Sequence, residues 1–391
     1  MKYKRIFLIV CDSLGCGYDD TSILYDDFGA NTINHIIEKE NGINIPTMEK
    51  LGYSKIDTIN GLNKDILTIG SYGKAKEASV GKDTLTGHWE MMGIKTTTPF
   101  KTFTETGFPA ELIELIQKKA KCEFIGNYAS SGTEILKVLG EQSIKTGKAI
   151  IYTSSDSVLQ IAAHEKYFGL ERLYEVCKIA REICMDPKYM VGRIIARPFI
   201  GENKDEFVRT PNRHDYALSP SSKTVLNYLS ENNYSVISVG KINDIFNKEG
   251  ITRAIKSVSN NDGMEKNLEL LKEDFCGLCF TNLVDFDAKY GHRRDSYGYK
   301  KAIEDFDKYL ALMIKNIKED DLIIITADHG NDPTWHGTDH TREYVPIIAY
   351  SKNNISNNLG TRNSFADIGA TISENFNVKS PEIGKSFLKE I

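Results

Sequence analysis

The stretch Leu322-Ile323-Ile324-Ile325-Thr326-Ala327-Asp328-His329 sets four apolar residues directly ahead of a hydroxyl, an acid and an imidazole. A short β-branched run with no polar alternation fits a strand buried on both faces. The same design recurs along the chain. Residues 6–11 run into Asp12, 149–152 into Thr153-Ser154-Ser155-Asp156, 236–239 into Gly240-Lys241, and 279–284 into Asp285-Phe286-Asp287. Residues 345–349 supply one more run. Helical patterns lie between them. Asn31 is placed to cap a helix through Glu38. In residues 299–317, Ile303, Phe306, Leu310, Met313, Ile314 and Ile317 recur at a spacing of three to four. A last helix is predicted over 365–376, with Asn363 or Ser364 as its cap. Alternating strands and helices predict an α/β fold whose mainly parallel sheet is sandwiched by helices.

The middle of the chain carries its own alternation. Pro109 opens a helical stretch to Lys119, and residues 170–184 place Leu173, Val176, Cys177, Ala180, Ile183 and Cys184 on one face. Residues 190–199 read as a strand. Polar, Pro-containing stretches flank this region at 95–99 and 211–214, as linkers should. The expected organisation is a discontinuous core, 1–100 and 213–391, with a smaller α/β domain inserted at 101–212.

Chemistry concentrates in residues 285–340. Asp287 and His292 stand five apart, Asp328 and His329 are adjacent, and His340 follows in Gly337-Thr338-Asp339-His340-Thr341. Four of the eight histidines (292, 329, 336 and 340) fall within about fifty residues. Asp12, Asp287 and Asp328 all follow predicted strands, where ligands bind in open α/β sheets. Converging carboxylates repel one another unless cations neutralise them. Three Asp and three His suffice for two divalent metals, and the mixed oxygen and imidazole set suits Mn²⁺ or Zn²⁺ better than Ca²⁺. Two such ions form a clamp for phosphoryl transfer. His336, beside Trp335 and Pro333, reads as a loop residue without a clear partner.

A second signal is Gly81-Lys82-Asp83-Thr84-Leu85-Thr86-Gly87-His88-Trp89-Glu90. Thr84 is a candidate nucleophile, and a metal beside it would make its hydroxyl reactive at neutral pH. Backbone N–H groups of the segment after it suit phosphate oxygens. The plain alternative makes Thr84 a helix cap.

Together these segments resemble the alkaline phosphatase superfamily and, within it, the phosphopentomutase family. The resemblance is carried by residues 10–15, 81–90, 152–160, 192–199, 210–215, 282–292 and 326–343, in family order over nearly the whole chain. It implies interconversion of ribose 1-phosphate and ribose 5-phosphate, with 2-deoxyribose phosphates also accepted. A 1,5-bisphosphate is the implied intermediate, and a sugar bisphosphate the implied primer. Two Mn²⁺ ions are implied, one held by Asp287, His292 and His340, the other by Asp12, Asp328 and His329. Thr84 takes the place of the family's phosphorylated threonine, and the inserted domain that of a cap excluding water. The phosphate not being transferred needs cations. Arg193 and Arg197, four apart on a predicted strand, share a face. Arg209 and Arg213 lie near the linker, and Lys241 follows a predicted strand. Ser154 and Asp156 end another strand of the insert and are expected at the sugar hydroxyls.

Composition removes other classes. The chain has 391 residues, with 49 Lys and Arg against 54 Asp and Glu, and no general attraction to nucleic acid or anionic membrane follows. No apolar run approaches the roughly 18 residues of a membrane span. Lys2, Lys4 and Arg5 ahead of residues 6–10 superficially resemble a leader, but the apolar stretch is short and Asp12 follows at once. Seven irregularly spaced cysteines argue against a disulfide framework and for a reducing cytoplasm. Cys276-Gly277-Leu278-Cys279 sits in an apolar run and reads as buried strand. Nothing suggests a large apolar interface, so a monomer acting on small sugar phosphates is expected.

Overall fold

Arg5–Cys11 is the centre of an eight-stranded sheet, and Ile6, Phe7, Leu8, Ile9 and Val10 are wholly buried there. At about 1.5–3 kcal/mol for each large apolar side chain removed from water, this strand alone anchors the core. The computed structural model describes residues 1–154, 157–353 and 355–391. It divides into two compact units, one made of Met1–Thr97 and Ser219–Ile391, the other of Thr98–Leu218.

In the first unit the strand order is Arg253–Ile255, Ser235–Val239, Gly277–Leu283, Arg5–Cys11, Asp321–Thr326, Val345–Tyr350, Ser71–Ala75 and Asn358–Arg362. Pairing is parallel from Arg253–Ile255 through Asp321–Thr326. Val345–Tyr350 runs antiparallel to both its neighbours. Val10 pairs with Asn282 on one side and Thr326 on the other. Three carboxyl ends therefore finish level, and Asp12, Asp287 and Asp328 leave the sheet at one edge. At the opposite edge, Arg5 makes two 2.7 Å hydrogen bonds to the Asp321 carboxylate, with both side chains buried.

Helices form where the periodicity placed them. Thr32–Lys39 is capped by Asn31, whose side chain accepts from the Asn34 N–H. Ser296–Asn316 buries Ile303, Phe306, Leu310 and Met313. The last helix, Ala366–Phe376, has Phe365 at its cap position, not Asn363 or Ser364. Ser364 Oγ instead accepts from the Ala366 N–H, and the buried Glu90 carboxylate accepts from the Phe365 N–H at 3.0 Å. Capping is thus shared with a residue distant in sequence.

The second unit is a smaller mixed sheet ordered Phe124–Ala129, Ala149–Thr153, Val158–His164, Arg193–Ile200 and Val208–Arg209. Ala110–Ala120 and Leu170–Ile183 contribute to an apolar cluster with Ile151, Leu159, Ile161 and Ile194. A second cluster joins Ile135 and Leu136 of Glu134–Thr146 to Ile150, Tyr152, Ala162 and Phe199. His214–Ala217 pairs antiparallel with Arg193–Ile200, which carries this unit on to Leu218. That strand lies in what reads in sequence as linker and core. No helix among the described residues is long and apolar enough to cross a membrane. All seven cysteines are free, and Cys279 is buried within Gly277–Leu283.

Candidate metal centre

The level strand ends bring two trios of side chains together. Asp12, Asp328 and His329 form one, and Asp287, His329 and His340 the other; within each, the potential ligand atoms lie within 4.8 Å of one another. His329 Nε2 stands 3.5 Å from Asp12 Oδ1 and 3.4 Å from Asp328 Oδ2. His292 Nε2 is 3.1 Å from Asp287 Oδ2, and His340 Nε2 is 3.2 Å from His292 Nε2 and 3.5 Å from Asp287 Oδ1. The six residues expected to ligate metals thus lie in one cluster, with His329 common to both trios.

Local structure aims these groups. His329 Nδ1 meets the Gly330 carbonyl at 3.0 Å, and His292 Nδ1 meets the Thr338 carbonyl at 2.7 Å. A carbonyl only accepts, so each Nδ1 carries the proton and each Nε2 keeps its lone pair for a cation. Ser13 has a left-handed backbone (φ 69°), and its N–H donates to Asp328 Oδ1 at 3.0 Å. Asn331 Nδ2 donates to Asp287 Oδ1 at 2.7 Å, and Arg294 holds the Asn331 side chain while bonding the carbonyls of Gly337 and Asp339.

Whether the residues fit a pair of ions is decided by the atoms left over. Asp12 Oδ1 is buried without a hydrogen-bond partner among the described residues, and Asp328 Oδ2, equally buried, has His88 Nδ1 at 3.1 Å and His329 Nε2 at 3.4 Å beside it. These are the two oxygens that face His329 Nε2. Burial pushes the Asp12 carboxyl well up, and the charges of Asp328 and Asp287 push it further. Burial likewise pushes His329 down, toward the neutral ligand form. Two ligands about 2.0–2.1 Å from one ion lie about 3.0–3.4 Å apart, close to the spacings here. The donor set fits divalent cations.

Thr84 stands at the edge of this cluster as the first residue of the helix Thr84–Met91, with Oγ1 3.2 Å from His329 Nε2. It is not the cap. Asp83 is, accepting from the Thr86 N–H at 3.1 Å and its hydroxyl at 2.6 Å. Gly87 lets this helix approach the sheet, because a Cβ there would run into the Asp328 backbone. Lys82 Nζ lies 2.9 Å from Asp27 and 3.4 Å from Asp339, so the loop leading to Thr84 and the His340 loop share an ion pair. Sequence reasoning assigned no role to Ser13, Asn282 or Asn331. Their positions just beyond or near the ends of the central strands were the available signal.

The remaining expected residues divide. Lys241 is exposed after Ser235–Val239, and its charge acts to lower the Asp12 carboxyl. Arg197 and Arg209 lie in the second unit, where with Pro198, Thr210 and Arg213 they line a cavity of about 360 Å³. Arg197 Nε donates to Gln160 Oε1 at 3.0 Å. Arg193 shares the strand of Arg197 but is not among that cavity's lining. The Ser154 carbonyl accepts from the Thr104 hydroxyl at 2.8 Å. Asp156 lies outside the described residues. His336 has a partner after all, its Nε2 meeting the Asp26 carbonyl at 3.0 Å. A larger cavity of about 890 Å³, walled in part by Gln117, Cys122 and Phe168, contains none of the expected site residues.

A parallel-centred sheet with a buried Asp/His cluster at its carboxyl edge is a place where an α/β protein can hold divalent cations. The chain belongs to the Metalloenzyme superfamily, whose sequence model matches residues 4–380. Its core is an alkaline-phosphatase-like α/β fold. Among solved structures, it is similar to the PH0037 protein from Pyrococcus horikoshii, at 15% identity and a TM-score of 0.52 over 96% of this chain and 98% of that one. A phosphoglycerate mutase from Leishmania mexicana gives 11% identity and a TM-score of 0.47, covering 98% and 97%. A protein in the alkaline phosphatase superfamily from Vibrio parahaemolyticus gives 12% and 0.46, covering 100% and 71%.

Proposed function

We propose that the chain is a phosphopentomutase that interconverts ribose 1-phosphate and ribose 5-phosphate, and their 2-deoxy counterparts, through a phosphorylated Thr84. The observation that carries this reading is Thr84 Oγ1 lying 3.2 Å from His329 Nε2, the imidazole common to both Asp/His trios. Asp12, Asp328 and His329 would hold one Mn²⁺, and Asp287, His292 and His340 the other. Bound there, the two ions would screen charge on the phosphoryl oxygens and stabilise the Thr84 alkoxide.

The chain's own residues do the rest. Asp83 holds the first turn of Thr84–Met91, so the Thr84 hydroxyl is fixed at a helix N-terminus, where backbone N–H groups favour a phosphoryl group. Phosphorylated Thr84 gives its phosphoryl group to the free hydroxyl of the pentose phosphate, whose proton is released as the new ester forms. The 1,5-bisphosphate then returns its other phosphate to Thr84, and no phosphate is lost or gained overall. A sugar bisphosphate primes the resting enzyme by phosphorylating Thr84. The family resemblance supports a role in phosphate recognition for Arg193, Arg197 and Arg209, and separately for Lys241. Ser154 and Asp156 contact the sugar.

Phosphorus NMR of the Mn²⁺-loaded protein tests the reading. Ribose 1-phosphate with a trace of sugar bisphosphate is expected to give ribose 5-phosphate without free phosphate. Inorganic phosphate as the main product would make the protein a phosphatase, and turnover of 3-phosphoglycerate alone would make it a different mutase. Thr84→Ala is expected to bind both ions and lose all turnover; residual mutase activity would move the nucleophile elsewhere.

A further inference from the structure

His88 is wholly buried, four residues beyond Thr84 on the same helix. Its Nδ1 lies 2.9 Å from the Thr84 carbonyl and 3.1 Å from Asp328 Oδ2. Both neighbours are acceptors, so Nδ1 carries the proton and Nε2 is left as an acceptor. Facing Nε2 at 3.3 Å is the Asn282 amide nitrogen, and that nitrogen also donates to Asp12 Oδ2 at 2.8 Å. One imidazole and one amide thus form a chain from the nucleophile helix to the Asp12 carboxylate.

The chain leaves little choice of orientation. With the Asn282 nitrogen facing both His88 and Asp12, Asp12 Oδ2 is occupied and Oδ1 is left bare toward His329 Nε2. Turned over, the amide would set its own oxygen against Asp12 Oδ2 and against a bare imidazole nitrogen, and both contacts would be repulsive. His88 therefore decides which way Asn282 points, and Asn282 decides which oxygen Asp12 presents.

We propose that His88 is a positioning residue for the ion held by Asp12, Asp328 and His329, acting through Asn282, and that it tunes that ion's affinity without touching it. The proposal rests on the metal-centre reading above. Residues one step beyond the ligands commonly change metal affinity by about 10–100-fold. A purely structural histidine, stacked on Phe280 at 5.8 Å, would affect folding alone.

Calorimetric titration of the metal-free protein with Mn²⁺ separates these roles. The wild type is expected to bind two ions. His88→Leu removes the acceptor and is expected to weaken one ion about 10–100-fold while leaving the other within about threefold. His88→Gln, whose side-chain amide reaches the Nε2 position, is expected to restore most of the loss. Asn282→Ala interrupts the same chain from its other end and is expected to weaken the same ion, which keeps the test open if the leucine variant does not fold. In the Mn²⁺ EPR spectrum at two equivalents, the weakened variants should show an isolated ion where the wild type shows a coupled pair. Unchanged affinities in both variants, or an equal loss at both ions, would overturn the proposal alone. A wild type that binds no Mn²⁺ would overturn the metal centre and the proposal with it.

Discussion

Replacing Gly87 by alanine sets two opposing effects against each other. Alanine is favoured over glycine inside a helix by about 1 kcal/mol, so propensity alone raises stability. Yet a Cβ at position 87 would meet the Asp328 carbonyl oxygen closer than any ordinary contact, with the Asp328 carbonyl carbon and Cβ each at 2.9 Å. These are backbone and near-backbone atoms at the buried end of a central strand, and they cannot swing aside as a long side chain would. Overpacking costs about 1–3 kcal/mol, and three contacts this close belong at the upper end. The expected net effect is a loss of about 2 kcal/mol, or a melting temperature lower by about 3–4 °C for a unit of this size. Thermal denaturation of the metal-free protein measures it. With Mn²⁺ present the gap should widen, because the displaced residue is Asp328. A variant that melts at or above the wild-type temperature would show that helix and sheet do not approach as described.

Arg5→Met leaves Asp321 buried and unpaired, and urea denaturation should register a loss of about 3–5 kcal/mol, most of it recovered when Asp321→Leu is added. Burial, reinforced by the Asp332 charge, pushes the Glu343 carboxyl up to about 7 from its usual 4.5. A raised carboxyl gives stability that is full below pH 4.5 and lost as pH rises through about 7, here about 3 kcal/mol. Glu343→Gln should flatten that pH dependence in metal-free protein between pH 5 and 8, whatever it does to absolute stability, and an unaltered slope would assign the titration to another group.

Much of the architecture is written in short segments. Apolar runs ending in Asp12, Asp287 and Asp328 specify buried parallel strands and a charged edge, because burial on both faces demands continuous hydrophobicity and the carboxylates belong where the strands stop. The Asn31 cap and the 3–4 spacing of Ile303 through Met313 are equally local, and their helices stand where the pattern put them. Ser71–Ala75 and Asn358–Arg362, by contrast, carry Lys, Gly and Arg and show no apolar run. They are strands because neighbours pair with them. His214–Ala217 extends the second unit for the same reason. Tertiary structure alone decides that His329 is common to both trios, that Thr84 Oγ1 lies against His329 Nε2, and that His88 reaches Asp12 through Asn282. Each depends on strand register and helix approach set by residues hundreds of positions apart. A one-dimensional pattern records which residue types are present, but it does not record which of their atoms are left without a partner.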